Sequence, residues 1–243
     1  MPPPLFLSVA SRVLRLCFVV VTPVAFAGMD RAIYISPIPN SPLTAVVEVD
    51  QTRIERDGTR VNVKVIETIA RDSHGRMYRD AWRRDAAGKP MLVTVDLYDP
   101  ATATYTIVDP LFKTFWTGRL ERQAAIMGDG FFYDPRDDGT PKSQFEHGED
   151  LGVQELQGLA VHHVRELDPV KNSVGRKVVT REYWYSDDLR MNLASRLDDP
   201  QADILTMTVT QLTRKEPDAA IYMVPPGYRR VNAWDQLHEA PPR

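Results

Sequence analysis

One loop in this sequence has the spacing of a metal site, and it fails at two positions. The loop from Asp134 to Gly139 begins like a calcium-binding loop, which places oxygen ligands at positions one, three and five and a glutamate at position twelve. Here the third position is Arg136 and the twelfth is Phe145. Because neither side chain supplies an oxygen ligand, we interpret this segment as an acidic turn.

His147, His162 and His163 lie near one another in the second half of the chain, but not in a metal-binding pattern. His162 and His163 are adjacent on a predicted strand, so their side chains point to opposite faces and cannot hold one ion together. Glu146 and His147 precede that strand. Together with one histidine of the strand they would supply few zinc ligands, without the tight spacing that is usual in zinc sites. We therefore predict solvated or hydrogen-bonded histidines and no metal site.

Basic and aromatic residues alternate between residues 71 and 85. The arginines are Arg71, Arg76, Arg79, Arg83 and Arg84, with Tyr78 and Trp82 between them. Such interleaving occurs in proteins that bind nucleic acids. However, Asp72, Asp80 and Asp85 lie among the arginines, and cross-strand ion pairs on a solvated sheet face account for the pattern. We predict no nucleic-acid partner.

The sequence carries no recognised catalytic signature. The patterns G-x-S-x-G, S-x-x-K and H-E-x-x-H do not occur. The only cysteine, Cys17, lies in the N-terminal segment described below, which excludes disulfides and thiol catalysis from the mature chain. We predict a non-enzymatic protein without a cofactor. A hydrolase that uses unmarked carboxylates is a third, weaker alternative.

Two aromatic runs, Phe131–Tyr133 and Tyr183–Tyr185, would show rings to both faces of a strand. One interpretation is a sheet that is covered on both sides. The other is the rim of an apolar pocket or of a partner site. The sequence leaves both open.

Residues 1–27 have the features of a secretory signal peptide. Arg12 and Arg15 precede an apolar run from Leu16 to Val24, and Ala25–Ala27 is a small-x-small sequence suited to cleavage after Ala27. The run is shorter than the roughly 20 apolar residues that cross a bilayer. The sequence therefore predicts an exported protein of the periplasm or the extracellular space, with no transmembrane segment in its mature chain.

Cleavage would leave 216 of the 243 residues and change the formal charge from −3 to −5, because Arg12 and Arg15 are lost. That length suits a single large β domain or two small ones. Nineteen prolines, most of them in loop-like places, argue against a helical bundle.

Alternation of apolar and polar residues predicts β-strands through most of the chain. From Ala45 to Asp50 and from Val61 to Ile69 the alternation puts one face of the sheet on a core and the other in water. Asp57-Gly58 joins these strands as a tight hairpin turn, and Asp99-Pro100 and Asp109-Pro110 end later strands. A meander of about six strands results.

After the meander, Arg119–Met127 is predicted as a short helix and residues 128–147 as a long loop, and strands resume at Leu151. Four further strands are predicted at residues 159–167, 178–185, 189–197 and 204–212. The predicted organisation is a signal peptide (1–27), an extended Pro-rich lead-in (28–42), a single β domain (43–230) and a C-terminal tail (231–243) with a short helix at Asn232–Glu239.

The C-terminal half carries an ordered set of motifs. Leu151-Gly152 is followed by Glu182–Ser186, Asp199-Pro200, Glu216-Pro217-Asp218 and Ile221–Pro225. This order resembles uncharacterised bacterial secreted proteins. They are similar to the half-barrel proteins typified by the periplasmic lipoprotein carrier and by the periplasmic regulator of the envelope-stress sigma factor.

The resemblance spans about residues 43–230 and implies a curved antiparallel sheet whose concave apolar face holds acyl chains. It also implies that the acidic-Pro-Asp segment starts a short helix that caps one end of the barrel. The motifs mark no ligand-contact residue, so none can be assigned from them.

The predicted fold is mainly β, a strongly curved antiparallel meander of roughly ten strands with one or two short helices, of the half-barrel, lipoprotein-carrier-like type. The predicted function is binding of a lipid, lipoprotein or other apolar ligand in the cell envelope, and it is based on the resemblance and on the apolar faces Val61–Val65 and Met91–Val95. The alternative is an envelope protein–protein interaction or stress-sensing module that uses the 128–147 loop and exposed aromatic residues. No catalytic, cofactor-binding or metal-binding residue is predicted, and the ligand-binding residues are unknown.

Overall fold

The computed structural model describes residues 33–55, 57–119, 148–172, 175–199 and 203–232. These ranges contain twelve β-strands, and a 3-10 helix at Ala219–Tyr222. The strands are β1 (Leu43–Ile54), β2 (Arg60–Arg71), β3 (Met77–Arg84), β4 (Pro90–Asp99), β5 (Thr104–Asp109), β6 (Thr114–Arg119), β7 (Glu149–Leu156), β8 (Leu159–Asn172), β9 (Gly175–Ser186), β10 (Met191–Asp198), β11 (Asp203–Thr213) and β12 (Arg229–Arg230).

All twelve strands belong to one sheet, in the order β12-β6-β5-β4-β3-β2-β1-β11-β10-β9-β8-β7. Strand β1 pairs with β2 and with β11, so the two halves of the chain meet along it. Every neighbouring pair is antiparallel except β12 and β6. The sheet is open and curved, which confirms the predicted mainly β, half-barrel meander, with twelve strands in place of roughly ten.

Register shifts accompany the curvature of this sheet. They interrupt the pairing of β1 with β11, β3 with β4, β9 with β10, and β7 with β8. A bulge of this kind bends its strand and increases the local twist. Four bulges distributed across the sheet therefore favour a curved surface over a flat one.

The predicted turn residues close the strands as expected. Gly58 adopts a φ of +85° in the first hairpin, where the Asp57 carboxylate accepts the Thr59 N–H at 2.9 Å. Strands β4 and β5 end at Asp99 and Asp109, as the two Asp-Pro pairs predict. In the same way as in the hairpin, the Asp109 carboxylate accepts the Leu111 N–H at 2.9 Å.

Pro169 differs from the prolines of the two Asp-Pro pairs, because it lies inside strand β8. There β8 pairs with β9 alone, since its register with β7 ends at Arg165. A proline, which has no N–H, fits such an edge position.

Much of the main core lies on one face of the sheet, which we call the inner face and define by Ala45, Val47 and Val49 of β1 and the residues aligned with them on the other strands. Alternation along each strand assigns the other residues to the inner or the outer face. Buried members of this core on the inner face include Ala45, Val47, Val49, Ile69, Met77, Leu205, Met207 and Val209.

The sheet has two distinct ends. The hairpin end carries the β1–β2 and β3–β4 turns, and the base carries the β2–β3 and β9–β10 turns. Residues 33–42 run along the base, where Ile35 pairs with Met191 and the Ser36 N–H donates to the Arg190 carbonyl at 2.9 Å. This part of the predicted lead-in is extended, but Ile33, Tyr34 and Ile35 are buried in the core, which the sequence did not indicate.

The segment 214–232, which we call the strap, crosses part of the outer face of β3–β6 and ends in β12 at the edge of the sheet. Val224 and Tyr228 pack against a second apolar cluster formed by Val95, Leu97 and Val108. The Asp218 carboxylate accepts the Ala220 N–H at 2.9 Å and so caps the 3-10 helix, as predicted for the acidic-Pro-Asp segment.

Candidate binding surface on the inner face

The inner face continues beyond the buried core as an apolar surface at the hairpin end. Val61, Val63 and Val65 of β2 are half-buried, whereas Asn62 and Lys64 between them are exposed. The three valines lie opposite Arg53, Gln51 and Val49 of β1, which places them on the inner face. The apolar face that the alternation predicts on β2 is therefore confirmed as part of the inner face.

The predicted apolar face Met91–Val95 is divided between the two sides of the sheet. Met91 lies opposite Arg83, and its side chain is 39% exposed on the inner face. Val95 lies opposite Asp80 on the outer face and is buried in the second cluster. The cause is the bulge between β3 and β4, because one extra residue reverses the alternation.

A buried ion cluster lies on the inner face next to this apolar surface. The Arg79 guanidinium donates through Nε to Glu67 at 3.0 Å and through Nη1 to Asp96 at 2.8 Å. The Tyr105 hydroxyl donates to the second oxygen of Asp96 at 2.9 Å. Arg79, Glu67 and Asp96 are each at most 5% exposed. The sheet thus holds one guanidinium between two carboxylates in its interior.

The electrostatics of this cluster follow from its burial. Burial alone would lower the pKa of Arg79, but the charges of Glu67 and Asp96 outweigh it and raise that pKa above its ordinary value. With both carboxylates ionised, the cluster carries a formal charge of −1. Its hydrogen bonds are internal to the sheet, so we interpret it as a structural element rather than a reactive centre.

A second buried arginine, Arg71, lies at the base. Its Nη1 donates to the Ser36 carbonyl at 2.6 Å, its Nε to the Ser41 carbonyl at 2.7 Å, and its Nη2 to the Leu189 carbonyl at 3.0 Å. Burial lowers its pKa to about 10, so it remains charged at neutral pH. These contacts join β2, residues 33–42 and the β9–β10 turn.

Burial of these two arginines corrects the prediction of a solvated arginine face. Ion pairs do form, between Arg79 and Glu67 and between Arg76 and Asp72, but Arg71 and Arg79 are buried. Carboxylates and carbonyl groups from distant parts of the chain surround them, which local alternation does not reveal.

The two adjacent histidines lie on opposite sides of β8, as predicted. The Nε2 atom of His162 is 3.0 Å from Asp187 on the inner-face side. On the outer face the His163 ring stacks on Trp184, with centroids 4.3 Å apart. Neither residue belongs to a cluster of three metal-ligating side chains, and no such cluster occurs within the described ranges.

Gln154 of edge strand β7 joins the stacked pair. The Trp184 Nε1–H donates to its side-chain carbonyl at 3.0 Å, and its amide nitrogen lies 3.1 Å from His163 Nδ1. Because the indole is only a donor, the carbonyl must face Trp184, and the amide must donate to His163. This arrangement connects β7 to β8 and β9 through side chains.

We expect Gln154→Leu to loosen β7 from the sheet, because the variant removes both hydrogen bonds. The free energy of unfolding should fall by about 1 kcal/mol, and amide hydrogens of residues 149–156 should exchange faster by mass spectrometry. Gln211→Leu, at an exposed glutamine of β11, should leave both unchanged. Unchanged exchange of β7 in Gln154→Leu would contradict this role.

The run Tyr183–Tyr185 shows rings to both faces, as predicted. Trp184 stacks on the outer face, and Tyr185 is buried against Tyr34 with centroids 6.1 Å apart. The run is therefore part of a sheet covered on both sides at this point.

Several predicted features lie outside the described residues. They are the signal peptide, His147, the acidic loop Asp134–Gly139, the aromatic run Phe131–Tyr133, and nearly all of the two predicted helices Arg119–Met127 and Asn232–Glu239. Among the residues that the structure describes, no helix has the length and apolar character needed to span a membrane.

No family model and no curated protein match this sequence. Solved structures do resemble the fold. LprF from Mycobacterium bovis is 16% identical, with 76% of this chain and 90% of that chain covered and a TM-score of 0.34. A LolA superfamily protein from Nitrosomonas europaea is 10% identical, with 76% and 91% covered and a TM-score of 0.35.

A putative outer membrane lipoprotein-sorting protein domain from Vibrio parahaemolyticus is 10% identical, with 74% of this chain and 89% of that chain covered and a TM-score of 0.22. All three likenesses have low TM-scores, so the candidate surface is defined by the geometry of this chain alone.

Proposed function

We propose that this protein is an exported, non-enzymatic binding protein of the cell envelope whose inner face holds a lipid, a lipoprotein acyl chain or another apolar ligand. The observation that carries the proposal is the continuity of the inner face. At the base it is the buried core, and at the hairpin end the same face continues as half-buried Val61, Val63 and Val65 with exposed Met91. An apolar surface of this kind, bordered by polar residues, is typical of ligand grooves.

Export is part of this proposal and is supported by the sequence of residues 1–27. Cleavage after Ala27 would give a mature chain that begins at Gly28. Expression of the full chain in a bacterium, with mass determination of the periplasmic product, tests this. A product of the full 243-residue mass, or one confined to the cytoplasm, would contradict it.

Val63→Asp should abolish binding of an apolar ligand, because it places a charge in the middle of the inner-face valines. We expect the affinity for a fluorescent acyl-chain probe to fall by at least about tenfold, from the cost of desolvating the carboxylate. Asn62→Asp is the matched control, since it introduces the same group on the exposed outer side of the same strand. That variant should bind the probe like the wild type.

Met91→Asp supplies an independent test on another strand and should also lose binding. Urea unfolding of each variant shows whether the fold is retained. Equal probe affinity in folded Val63→Asp, Met91→Asp and the wild type would contradict the inner-face proposal.

The second candidate, an envelope interaction or stress-sensing module, is favoured by a patch on the outer face. Ile66 and Trp82 are cross-strand neighbours that are 43% and 37% exposed. Leu92 lies opposite Trp82 and joins this patch to the cluster beneath the strap. If the inner-face variants leave function intact while Trp82→Glu abolishes capture of an envelope partner, this candidate replaces the first.

A further inference from the structure

Two arginines on the inner side of β3 have contrasting surroundings. Arg79 is buried between two carboxylates. Arg83 lies on the same face, two residues after Ala81. Arg83 is half-buried and lies opposite Met91. It forms no hydrogen bond or ion pair with any residue in the described part of the chain.

We infer that Arg83 binds the anionic head group of an acyl-chain ligand that lies on the inner face. The inference rests on the proposed function, because it assigns a charge to one end of the same ligand. It selects the class of ligand: amphiphiles with a carboxylate or phosphate head group, in preference to neutral ones.

The position of Arg83 favours this role. Val65 and Arg83 are both two residues closer to the hairpin end than the facing pair Glu67 and Ala81, so the guanidinium borders the apolar surface. A chain that covers Val63 and Val65 would bring its head group to Arg83. The ligand would thus be apolar where the sheet is apolar and anionic where the sheet is cationic.

Nearby carboxylates are engaged elsewhere. Glu55 accepts from the Arg53 guanidinium at 2.6 Å. Asp57 accepts the Thr59 N–H, and Asp85 accepts the Ala87 and Lys89 N–H groups within their turns. Each of these three carboxylates therefore has a hydrogen-bond partner other than Arg83.

The chemistry of a guanidinium fits both head groups. Its planar, forked N–H groups donate two parallel hydrogen bonds to a carboxylate or to a phosphate. Lysine would supply the charge at a single point without this geometry. The preference for an anionic head group should weaken with salt, because Arg83 is partly exposed.

The test compares three amphiphiles: dodecanoate, dodecyl phosphate and the neutral dodecyl maltoside. They share a twelve-carbon chain and differ in the head group. Binding to the whole mature chain is measured by calorimetry below the micelle concentration of each. We expect the wild type to bind at least one of the two anions about tenfold more tightly than the maltoside. Arg83→Gln should remove that preference and keep maltoside binding.

Arg84→Gln is the matched control, because Arg84 is the next residue, is exposed, and lies on the other side of β3. It should keep the preference, and Arg83→Lys should keep part of it. Which anion binds more tightly identifies a carboxylate or a phosphate head group, and either result supports the inference.

Equal affinity of the wild type for all three amphiphiles would overturn the inference and leave the proposed function intact. Equal loss of the preference in Arg83→Gln and Arg84→Gln would also overturn it, because it would show a general surface-charge effect. Failure of all three amphiphiles to bind would instead contradict the proposed function itself.

Discussion

Replacing Arg79 by methionine should destabilise the protein by about 3–5 kcal/mol, because the variant leaves two buried carboxylates without a cation. Glu67 and Asp96 both depend on this guanidinium, through contacts of 3.0 Å and 2.8 Å. The loss is a large part of the about 5–15 kcal/mol that stabilises a typical domain. Urea unfolding monitored by tryptophan fluorescence measures it.

Two further variants complete this test. Arg84→Met, at an exposed position of the same strand, should cost less than about 0.5 kcal/mol. The triple variant Glu67→Met, Arg79→Met, Asp96→Leu should recover most of the loss.

A loss below about 1 kcal/mol in Arg79→Met would contradict the assignment of a desolvated ion cluster.

Arg71→Lys should cost about 2–4 kcal/mol, although it keeps the positive charge. The guanidinium reaches Ser36, Ser41 and Leu189 at once through separate nitrogen atoms, and a single ammonium cannot. Residues 33–42 should then separate from the base. Urea unfolding gives the stability, and hydrogen exchange should show faster exchange of the Ser36 and Asn192 amides, which are bonded across this contact.

Arg60→Lys, at the exposed opposite end of β2, is the matched control and should change neither quantity. If Arg71→Lys kept wild-type stability and slow exchange at Ser36, residues 33–42 would be held by their apolar side chains and backbone hydrogen bonds without Arg71. Ile35, which is fully buried, would then be the residue to change next.

The sequence predicts most of the fold because local patterns of apolar, polar and turn residues indicate the strands of this sheet. Alternation from Val61 to Ile69 matches β2, and the ends of β4 and β5 fall on the Asp-Pro pairs. These signals depend on neighbouring residues only, since a side chain's face follows from its place in the strand.

The sequence does not predict features that depend on distant contacts. Arg71 donates to a carbonyl 118 residues away, and Arg79 finds its second carboxylate 17 residues along the chain. A solvated arginine and a buried one have the same local pattern here. The sequence does not predict the burial of Ile33–Ile35 for the same reason, because Ile35 pairs with the distant residue Met191.

The sequence predicts one part of the candidate surface and not the other. The apolar face of β2 is visible in the alternation, but the division of Met91–Val95 depends on a bulge that no local signal marks. Arg83 is visible in the sequence only as one of five arginines. Its significance comes from comparison with Arg79, whose two carboxylates are identified by the register of β2, β3 and β4.

The most direct test of the central proposal is native mass spectrometry, with organic extraction, of the mature chain from Gly28 to Arg243 purified from a bacterial periplasm. The inner-face proposal predicts a lipid or other apolar adduct near one equivalent per chain in the wild type and in Asn62→Asp, and its loss in Val63→Asp. A clean apo mass that does not shift when lipid is added would contradict the proposal and favour the envelope-interaction module instead.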